Sequence, residues 1–330
     1  MSHFSNLLFT GFKKILVPSV LVLLHMQTTH AQSFPNKPLR WIVPSTAGDG
    51  SDIIGRIIAE SVGRKLGQPI IIDNKPGAGG VLGSELAARA PADGYTMIVG
   101  NAGSHGINAA IYTKLKYDVA QDFVPVALFC TAPNVMVIGS AVPANNISEF
   151  VAYAKANPGK INYASGGMGS SSHLSAELFK SMAGVEMTHV PYKGAVPAVT
   201  AVLGNEVSVM IGNLPPWAAH IKSGKVRALA VTTPKREASL PSVPALAETY
   251  AGFDTTAWFG LLAPKDTPHE IIKRMHQLVN ESLVDPDIKS RIVATSCTPE
   301  VIAQDVFATR VQTAIVRWKA LAEEKKIRAD

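Results

Sequence analysis

The run Leu39-Arg-Trp-Ile-Val43, Pro44-Ser-Thr-Ala-Gly-Asp-Gly-Ser-Asp52, the stretch 53–66 and then Pro69-Ile-Ile-Ile72 decides the fold class. Its opening is apolar and β-rich, the next nine residues are small, polar and Gly-containing, and 53–66 carries apolar residues at helical spacing. A strand, a Gly/Ser loop that opens a helix, and a second strand are the parts of a βαβ unit. The alternation continues: strands are predicted at 96–100, 124–130, 135–139, 161–164, 188–190, 207–211, 226–231 and 258–262, and helices at 82–90, 147–156, 174–183 and 197–203. The fold class is therefore α/β, with mostly parallel sheets flanked by helices.

Past residue 262 the pattern changes. Three helical stretches, 268–284, 286–295 and 299–323, each begin at a Pro, which supports a helix start. They are expected to form a helical cluster on the first of two domains, to which the strand at 258–262 returns the chain. That domain would be discontinuous, 32–131 with 257–330, and would enclose a second domain at 132–256.

A chain of 330 residues, 47% apolar and only 17% charged, holds enough apolar material for two cores. Its formal charge of +6 comes without a basic block and with only 7% aromatic residues. Nucleic-acid binding needs clustered Lys/Arg and stacking rings, so it is not expected; a mildly basic surface that favours anionic solutes is.

Residues 1–31 read as an export signal. Lys13 and Lys14 precede an apolar run at 15–24, and Thr29-His30-Ala31 offers small residues where a signal peptidase cuts, which places cleavage between Ala31 and Gln32. The run falls short of the ~20 residues a membrane span takes, so the mature protein is expected to be soluble. Losing Lys13 and Lys14, the only charged residues in that segment, lowers the formal charge from +6 to +4. Cys130 and Cys297 show neither C-x-x-C spacing nor a metal pattern. They are expected as isolated buried thiols, although an oxidising compartment would allow them to pair.

Two segments combine a preceding strand, a Gly/Ser-rich loop and a following helix: 44–52, and Ala164-Ser-Gly-Gly-Met-Gly-Ser-Ser-Ser-His173. Gly lets a backbone approach a ligand closely, the N–H groups of a helix start point outward, and the helix dipole favours a negative group there. Both loops fall at the carboxyl ends of strands, where open sheets place their ligand crevice. Two carboxylate cradles facing one cleft are therefore expected, with no cofactor and no metal, although Ser51, Asp52, Ser170 and Ser171 would serve equally as helix caps.

Other motifs carry less. Pro76-Gly-Ala-Gly-Gly80 lacks the ending of a phosphate loop and is read as a tight turn. Gly167-Met-Gly169 is an incomplete dinucleotide fingerprint, with Ser at 172 and no acidic residue about 20 positions on. His173 and Glu177 lie one helical turn apart without a third metal ligand. Ser104-His105 is not read as a nucleophile and base, because adjacent residues need not face each other and no G-x-S-x-G elbow is present. His105 is expected to cap or line the cleft, and Phe179, Met182, Met187 and Trp258 to pack in cores.

Longer motifs run through the mature chain in order: Asn74-Lys-Pro-Gly-Ala-Gly-Gly80, Asp93-Gly-Tyr-Thr96, Asn162-Tyr-Ala-Ser165 leading to Ser171-Ser-His-Leu174, His189-Val-Pro-Tyr-Lys-Gly194, Gly224-Lys-Val-Arg-Ala-Leu-Ala230 and Trp258-Phe-Gly-Leu-Leu-Ala-Pro264. With these the chain resembles the substrate-binding proteins of tripartite tricarboxylate transporters, the Bordetella uptake gene family. The resemblance implies a periplasmic type II binding-protein fold, a two-domain Venus flytrap that delivers a small carboxylate to the large and small subunits of a membrane permease, without catalysis. It implies a loop from each domain on the ligand's carboxylate, partly through ordered waters. Carried over by motif, the ligand-binding residues are Ser51 and Asp52 from the first loop, Ser165, Gly169, Ser170, Ser171 and His173 from the second, and Asn213, with Tyr192 and Ser104 also in the cleft.

The first loop departs from the family pattern Pro-Phe-x-x-Gly-Gly-Ser-Thr-Asp. Ser45 replaces the aromatic residue, Asp49 the second Gly, and Gly50-Ser51 precede Asp52. A carboxylate beside an anion cradle repels the ligand unless it turns away or meets a cation. Asp49 is expected to favour the helix start and face solvent; the alternative is that it recognises an amine. A clamp that must open freely is expected to be a monomer. The rival functions are a ligand-sensing partner of a membrane kinase and an exported Ser/His hydrolase.

Overall fold

In the computed structural model, which describes residues 34–324 and 327–329, β1 (Leu39–Val43) is covered on both faces. The expected export signal and its cleavage point lie outside those residues. Leu39, Trp41 and Val43 enter one core and Ile42 another, as the period of two requires of a central strand. α1 (Gly50–Leu66) leads to β2 (Ile70–Asn74), parallel to β1; α2 (Val81–Ala88) leads to β3 (Thr96–Asn101), parallel to β1 on its other side. The short α3 (Asn108–Ile111) and β4 (Phe123–Ala132) follow, and the chain then leaves this sheet at Pro133.

A second sheet begins with β5 (Asn134–Ile138). It continues through α4 (Ile147–Ala156), β6 (Asn162–Ser165), α5 (Ser171–Ala183), β7 (Thr188–Pro191), α6 (Ala195–Leu203), β8 (Val209–Asn213), α7 (Ala218–Lys222) and β9 (Arg227–Val231), with strand order β7-β6-β8-β5-β9. Met136, Ile138 and Ile211 pack with Phe150 of α4 and Phe179 of α5, while Val135, Val137 and Met210 pack with α6 and Trp217. The chain returns through 254–256 to β10 (Ala257–Pro264), α8 (His269–Leu283), α9 (Pro286–Ala294), β11 (Thr298–Pro299) and α10 (Gln304–Glu324). The first sheet then reads β11-β4-β10-β3-β1-β2.

The α/β architecture is the expected one, but both sheets are mixed. β10 lies antiparallel to β3 and β4, and β5 antiparallel to β8 and β9. The cause is the double crossing. β4 leaves the first sheet where β10 enters it, Ala132 beside Ala257, and neighbouring segments that leave and return must run in opposite directions. Buried Asn134 ties the two crossings together: its Nδ2 donates to the Thr255 carbonyl at 2.5 Å and to Ser175 Oγ at 3.3 Å, and Ser175 Oγ donates to Thr255 Oγ1 at 2.8 Å.

The C-terminal helices do pack on the first sheet, divided between its faces. Ile272, Met275, Val279, Leu283, Ile288 and Ile292 of α8 and α9 join the core below Trp41; Phe307, Val311 and Ile315 of α10 join the opposite one. Pro268 and Pro286 stand at helix starts as expected, but Pro299 does not: it pairs with Cys130 in β11, and α10 begins at Gln304. The same pairing corrects the reading of the cysteines. They are buried, but Cys130 and Cys297 form a disulfide that joins β4 to the segment entering β11.

A cross-link between residues 167 positions apart constrains the unfolded chain strongly. Replacing both cysteines with Ala is expected to lower the unfolding free energy by about 2–5 kcal/mol. Denaturant titrations check this: reductant should lower the midpoint of the native chain and leave that of the double variant unchanged.

Candidate functional site

The loop from β1 to α1 is shaped by its two aspartates. Asp49 is the N-cap of α1, its carboxylate accepting from Gly50 N at 2.6 Å. Asp52 turns the other way: Oδ2 accepts from Gly48 N at 2.8 Å, Arg56 Nε donates to the carboxylate at 3.0 Å, and Asn74 Nδ2 donates to Oδ1 at 2.9 Å. Asn74 Nδ2 also donates to the Ser45 carbonyl at 3.1 Å, so this cluster braces the loop from behind. Burial opposes the ionisation of Asp52, but the bonds from Arg56, Gly48 and Asn74 outweigh it and hold the carboxyl below its usual range. Gly50 starts the helix against Phe259, whose ring would stand 2.6 Å from a Cβ there.

The loop from β6 to α5 is held by hydroxyls and rings. Ser170 is the N-cap of α5; its Oγ accepts from His173 N at 3.3 Å and donates to the Gly167 carbonyl at 2.7 Å. Ser165 Oγ accepts from Gly167 N at 3.1 Å, Ser172 Oγ accepts from Gly166 N at 3.0 Å, and His173 Nδ1 accepts from Gly169 N at 3.3 Å. Between these loops lies a third, 76–80, where a Cβ on Gly79 would fall 2.1 Å from the Met168 carbonyl oxygen. Only glycine allows this backbone-to-backbone approach, and the φ of 60° at Gly79 is itself left-handed. Tyr112 Oη adds a bridge, donating to the Met168 carbonyl at 3.1 Å.

The loops enclose a cavity of about 50 Å³. Pro44, Ser45 and Asp49 line it from the first loop; Pro76, Gly77, Gly79 and Gly80 from the third; Gly166, Ser170, Ser171 and Ser172 from the second. Asn101, Gly194, Ala195, Met210 and Asn213 complete it. Four of these residues, Asp49, Gly80, Ser170 and Gly194, are the N-caps of α1, α2, α5 and α6. The N-terminal ends of four helices thus meet at one cavity with no Lys or Arg among the described residues of its wall, a setting in which free N–H groups and helix dipoles favour an anionic oxygen.

Of the residues expected here, Ser45, Asp49, Ser170, Ser171 and Asn213 line the cavity, and Ser171 Oγ lies 3.3 Å from Asn213 Oδ1. The rest stand behind the wall. Ser51 accepts from Asn101 Nδ2 at 2.9 Å, Asp52 points to Arg56, Gly169 packs against Asn108, and Ser165 and His173 hold loop backbone. Tyr192 is half-buried beside the α6 core. Ser104 Oγ accepts from Asn101 N at 3.1 Å and, contrary to the argument that neighbours need not meet, lies 2.9 Å from His105 Nδ1. Neither side chain lines the cavity: both are fully buried, and burial pushes His105 down to about 3. Asp49 caps its helix as expected but does not face solvent, being only 7% exposed. The loop at 76–80 is the expected tight turn, Gly80 N donating to the Gly77 carbonyl at 3.0 Å, and it also forms one wall. Its Gly-rich approach to a helix is the signal that singled out the other two loops. Asn101, in contrast, had no signal beyond its place at a strand end.

Comparison with known proteins gives this geometry a context. The family model described as "Tripartite tricarboxylate transporter family receptor" matches residues 54–327. The chain belongs to that family. The periplasmic binding protein BugD superimposes with a TM-score of 0.87 at 31% identity, covering 90% of this chain and 100% of BugD. Rpa4515 of R. palustris, solved with adipate, gives 0.86 at 34% identity over 89% of this chain and 99% of that one. MatC from Rhodopseudomonas palustris, with bound malate, gives 0.83 at 34% identity over 87% and 99%. Like these neighbours, this family receptor is a solute-binding protein and not an enzyme. Among the described residues no helix is long and apolar enough to cross a membrane, and no three metal-ligating side chains gather.

Behind the second loop the receptor stacks three rings, Tyr163, His189 and His173, with centroids 4.7 Å and 4.4 Å apart in turn. Ser165 Oγ meets His189 Nε2 at 2.6 Å. Burial holds His173 below its usual range, and burial together with the neighbouring His173 lowers His189 to about 4. Rings depressed below the unfolded value of about 6.5 take up protons first in the unfolded chain, so stability should fall as pH drops from about 6.5 towards 4. Unfolding midpoints measured across that window should fall less steeply in His189→Gln than in the native chain; identical slopes would assign the loss to other groups.

Proposed function

We propose that this receptor is exported through the signal at 1–31, works in the periplasm as a monomer, and captures a small carboxylate for the membrane subunits of a tripartite transporter. The observation that carries the reading is the convergence of four helix N-termini on a cavity whose wall has no Lys or Arg. Such a wall offers N–H and hydroxyl donors to carboxylate oxygens and has room for little more than a head group and ordered water. The adipate and malate of two structural neighbours support the same class of solute. The disulfide suits an oxidising compartment.

Capture is by closure. Residues 32–131 with 257–330 form one moving domain and 132–256 the other, hinged at 132–134 and 254–256. The ligand binds the loops of one domain, the other domain completes the wall, and the closed form is what the permease subunits meet. Closure is favoured only to the extent that the ligand binds the closed state more tightly.

A thermal-shift screen of the chain from Gln32 onward tests the ligand class with carboxylates, amino acids and sugars. A ligand at 100 times its dissociation constant adds ~2.7 kcal/mol, so an upshift confined to carboxylate-bearing compounds is expected, and a response to sugars alone would refute the reading. Closure has its own test in Gly79→Ala, where the added methyl meets the Met168 carbonyl. Overpacking of about 1–3 kcal/mol at that contact should weaken binding roughly tenfold in calorimetry. Unchanged affinity would mean that the loops need not touch.

A further inference from the structure

Asp49 is the one charged residue among the described residues of the cavity wall, and it sits where an anionic ligand would bind. Its carboxylate is almost wholly buried, caps α1 through Gly50 N, and has no Lys or Arg partner among the described residues. Arg56, the nearest cation in sequence, is engaged by Asp52 at 2.9 Å on the far side of the loop. Beside Asp49 the Ser45 hydroxyl, also buried and lining the cavity, favours the ionised Asp49 carboxylate and finds no other partner within the protein. The wall therefore holds a buried carboxylate that has hydrogen-bond donors beside it but no cation among the described residues.

Closing the cavity on a simple dicarboxylate would make Asp49 a third carboxylate in one space with water excluded, and like charges brought together in that way raise each other's energy. Because no side chain offers compensating charge, the compensation must arrive with the solute. We propose that the solute carries an ammonium group as well as its carboxylate, and that Asp49 and Ser45 receive the ammonium while the N-termini of α2, α5 and α6 receive the carboxylate. The inference rests on the carboxylate-capture reading and narrows it to amino-bearing carboxylates. Asp49 would act as the residue that selects them.

Buried Asp49 is held above the usual carboxylate range, first by burial and further by the negative charge of Asp52, against the pull of the Gly50 N–H and the Ser45 hydroxyl. An ammonium at hydrogen-bond distance reverses that penalty, which gives the bound state a differential advantage that a plain dicarboxylate cannot provide.

The test is calorimetry on the mature chain with pairs that differ by one amine: succinate and L-aspartate, glutarate and L-glutamate, propionate and L-alanine, butyrate and 4-aminobutyrate. At least one amino member should bind about tenfold or more tightly than its partner. The comparison variant is Asp49→Asn, since Asn caps helices as well as Asp does and a normal melting curve will show that α1 is intact. In that variant the preference should shrink to roughly threefold or less, and the plain dicarboxylate should bind more tightly than it does to the native chain. Two results overturn the assignment while leaving carboxylate capture standing: native protein that binds the plain member as well or better in every pair, or an amine preference that survives in Asp49→Asn. Failure of all eight compounds would remove the carboxylate reading and this one with it.

Discussion

The close approach of the loop at 76–80 to the loop at 166–170 is the constraint around which the site is arranged. Gly79 comes so near the Met168 carbonyl that no side chain fits between them. Only at that separation do the N-caps of α1 and α2, carried by the first sheet, share a cavity with those of α5 and α6, carried by the second. Each helix start alone is a weak donor of positive potential, worth at most a kcal/mol or so at an exposed end. Four of them aimed into a space of about 50 Å³ act together and away from bulk water, where such dipoles count for more. The sheets supply precision to two of the loops, which leave the buried strands β1 and β6, while the loop at 76–80 leaves the half-exposed edge strand β2.

Charge is managed by keeping it behind the wall. The loop at 44–49 needs an anchor for Gly48 N, and Asp52 provides it, but a free carboxylate one turn into α1 would oppose an anion in the cavity. Arg56 and Asn74 cancel that opposition from the outer side. On the second loop the anchors are Ser165, Ser172 and His173, and burial keeps the histidine rings neutral. Both loops are thereby held rigid without presenting a net charge to the ligand, Asp49 excepted.

Much of this was legible in the sequence. Each predicted strand overlaps an observed one, because Val/Ile-rich runs between Gly/Pro breaks are unambiguous where both faces are covered. Two Gly/Ser loops opening helices were identified, and Ser45, Asp49, Ser170, Ser171 and Asn213 reached the cavity. What escaped depended on distance in space. Sequence spacing cannot tell that Ser51 and Asp52 turn away from the cavity while Asp49 turns in, because consecutive residues at a helix start lie some 100° apart around the axis and the cap geometry decides their directions. The pairing of Cys130 with Cys297 and the antiparallel entry of β10 both follow from the double crossing between sheets, which no local pattern encodes. Short segments such as α3 and α7 are too brief to show a helical period.

In the closure proposed for this receptor, the double crossing puts a neutral residue at the hinge. Asn134 bonds Thr255 and Ser175 together, and Arg317 of α10 reaches the same crossing, donating to the Asp254 carbonyl at 2.7 Å and forming a partly exposed ion pair with the Asp254 carboxylate at 3.2 Å. A rotation of one sheet against the other has to pass through 132–134 and 254–256, two short extended segments side by side. Bonds between neutral amides and hydroxyls tolerate a small change of angle with little loss, whereas a buried ion pair at the pivot would lose much of its energy as its partners separated. The contacts between the two units include the glycine-to-backbone approach at Gly79, the Tyr112 bridge and an apolar cluster in which Leu174 of α5 packs with Ile107, Ile111 and Trp318. Under that proposal the hinge keeps its connections through a rotation, and the solute is the component that decides between open and closed.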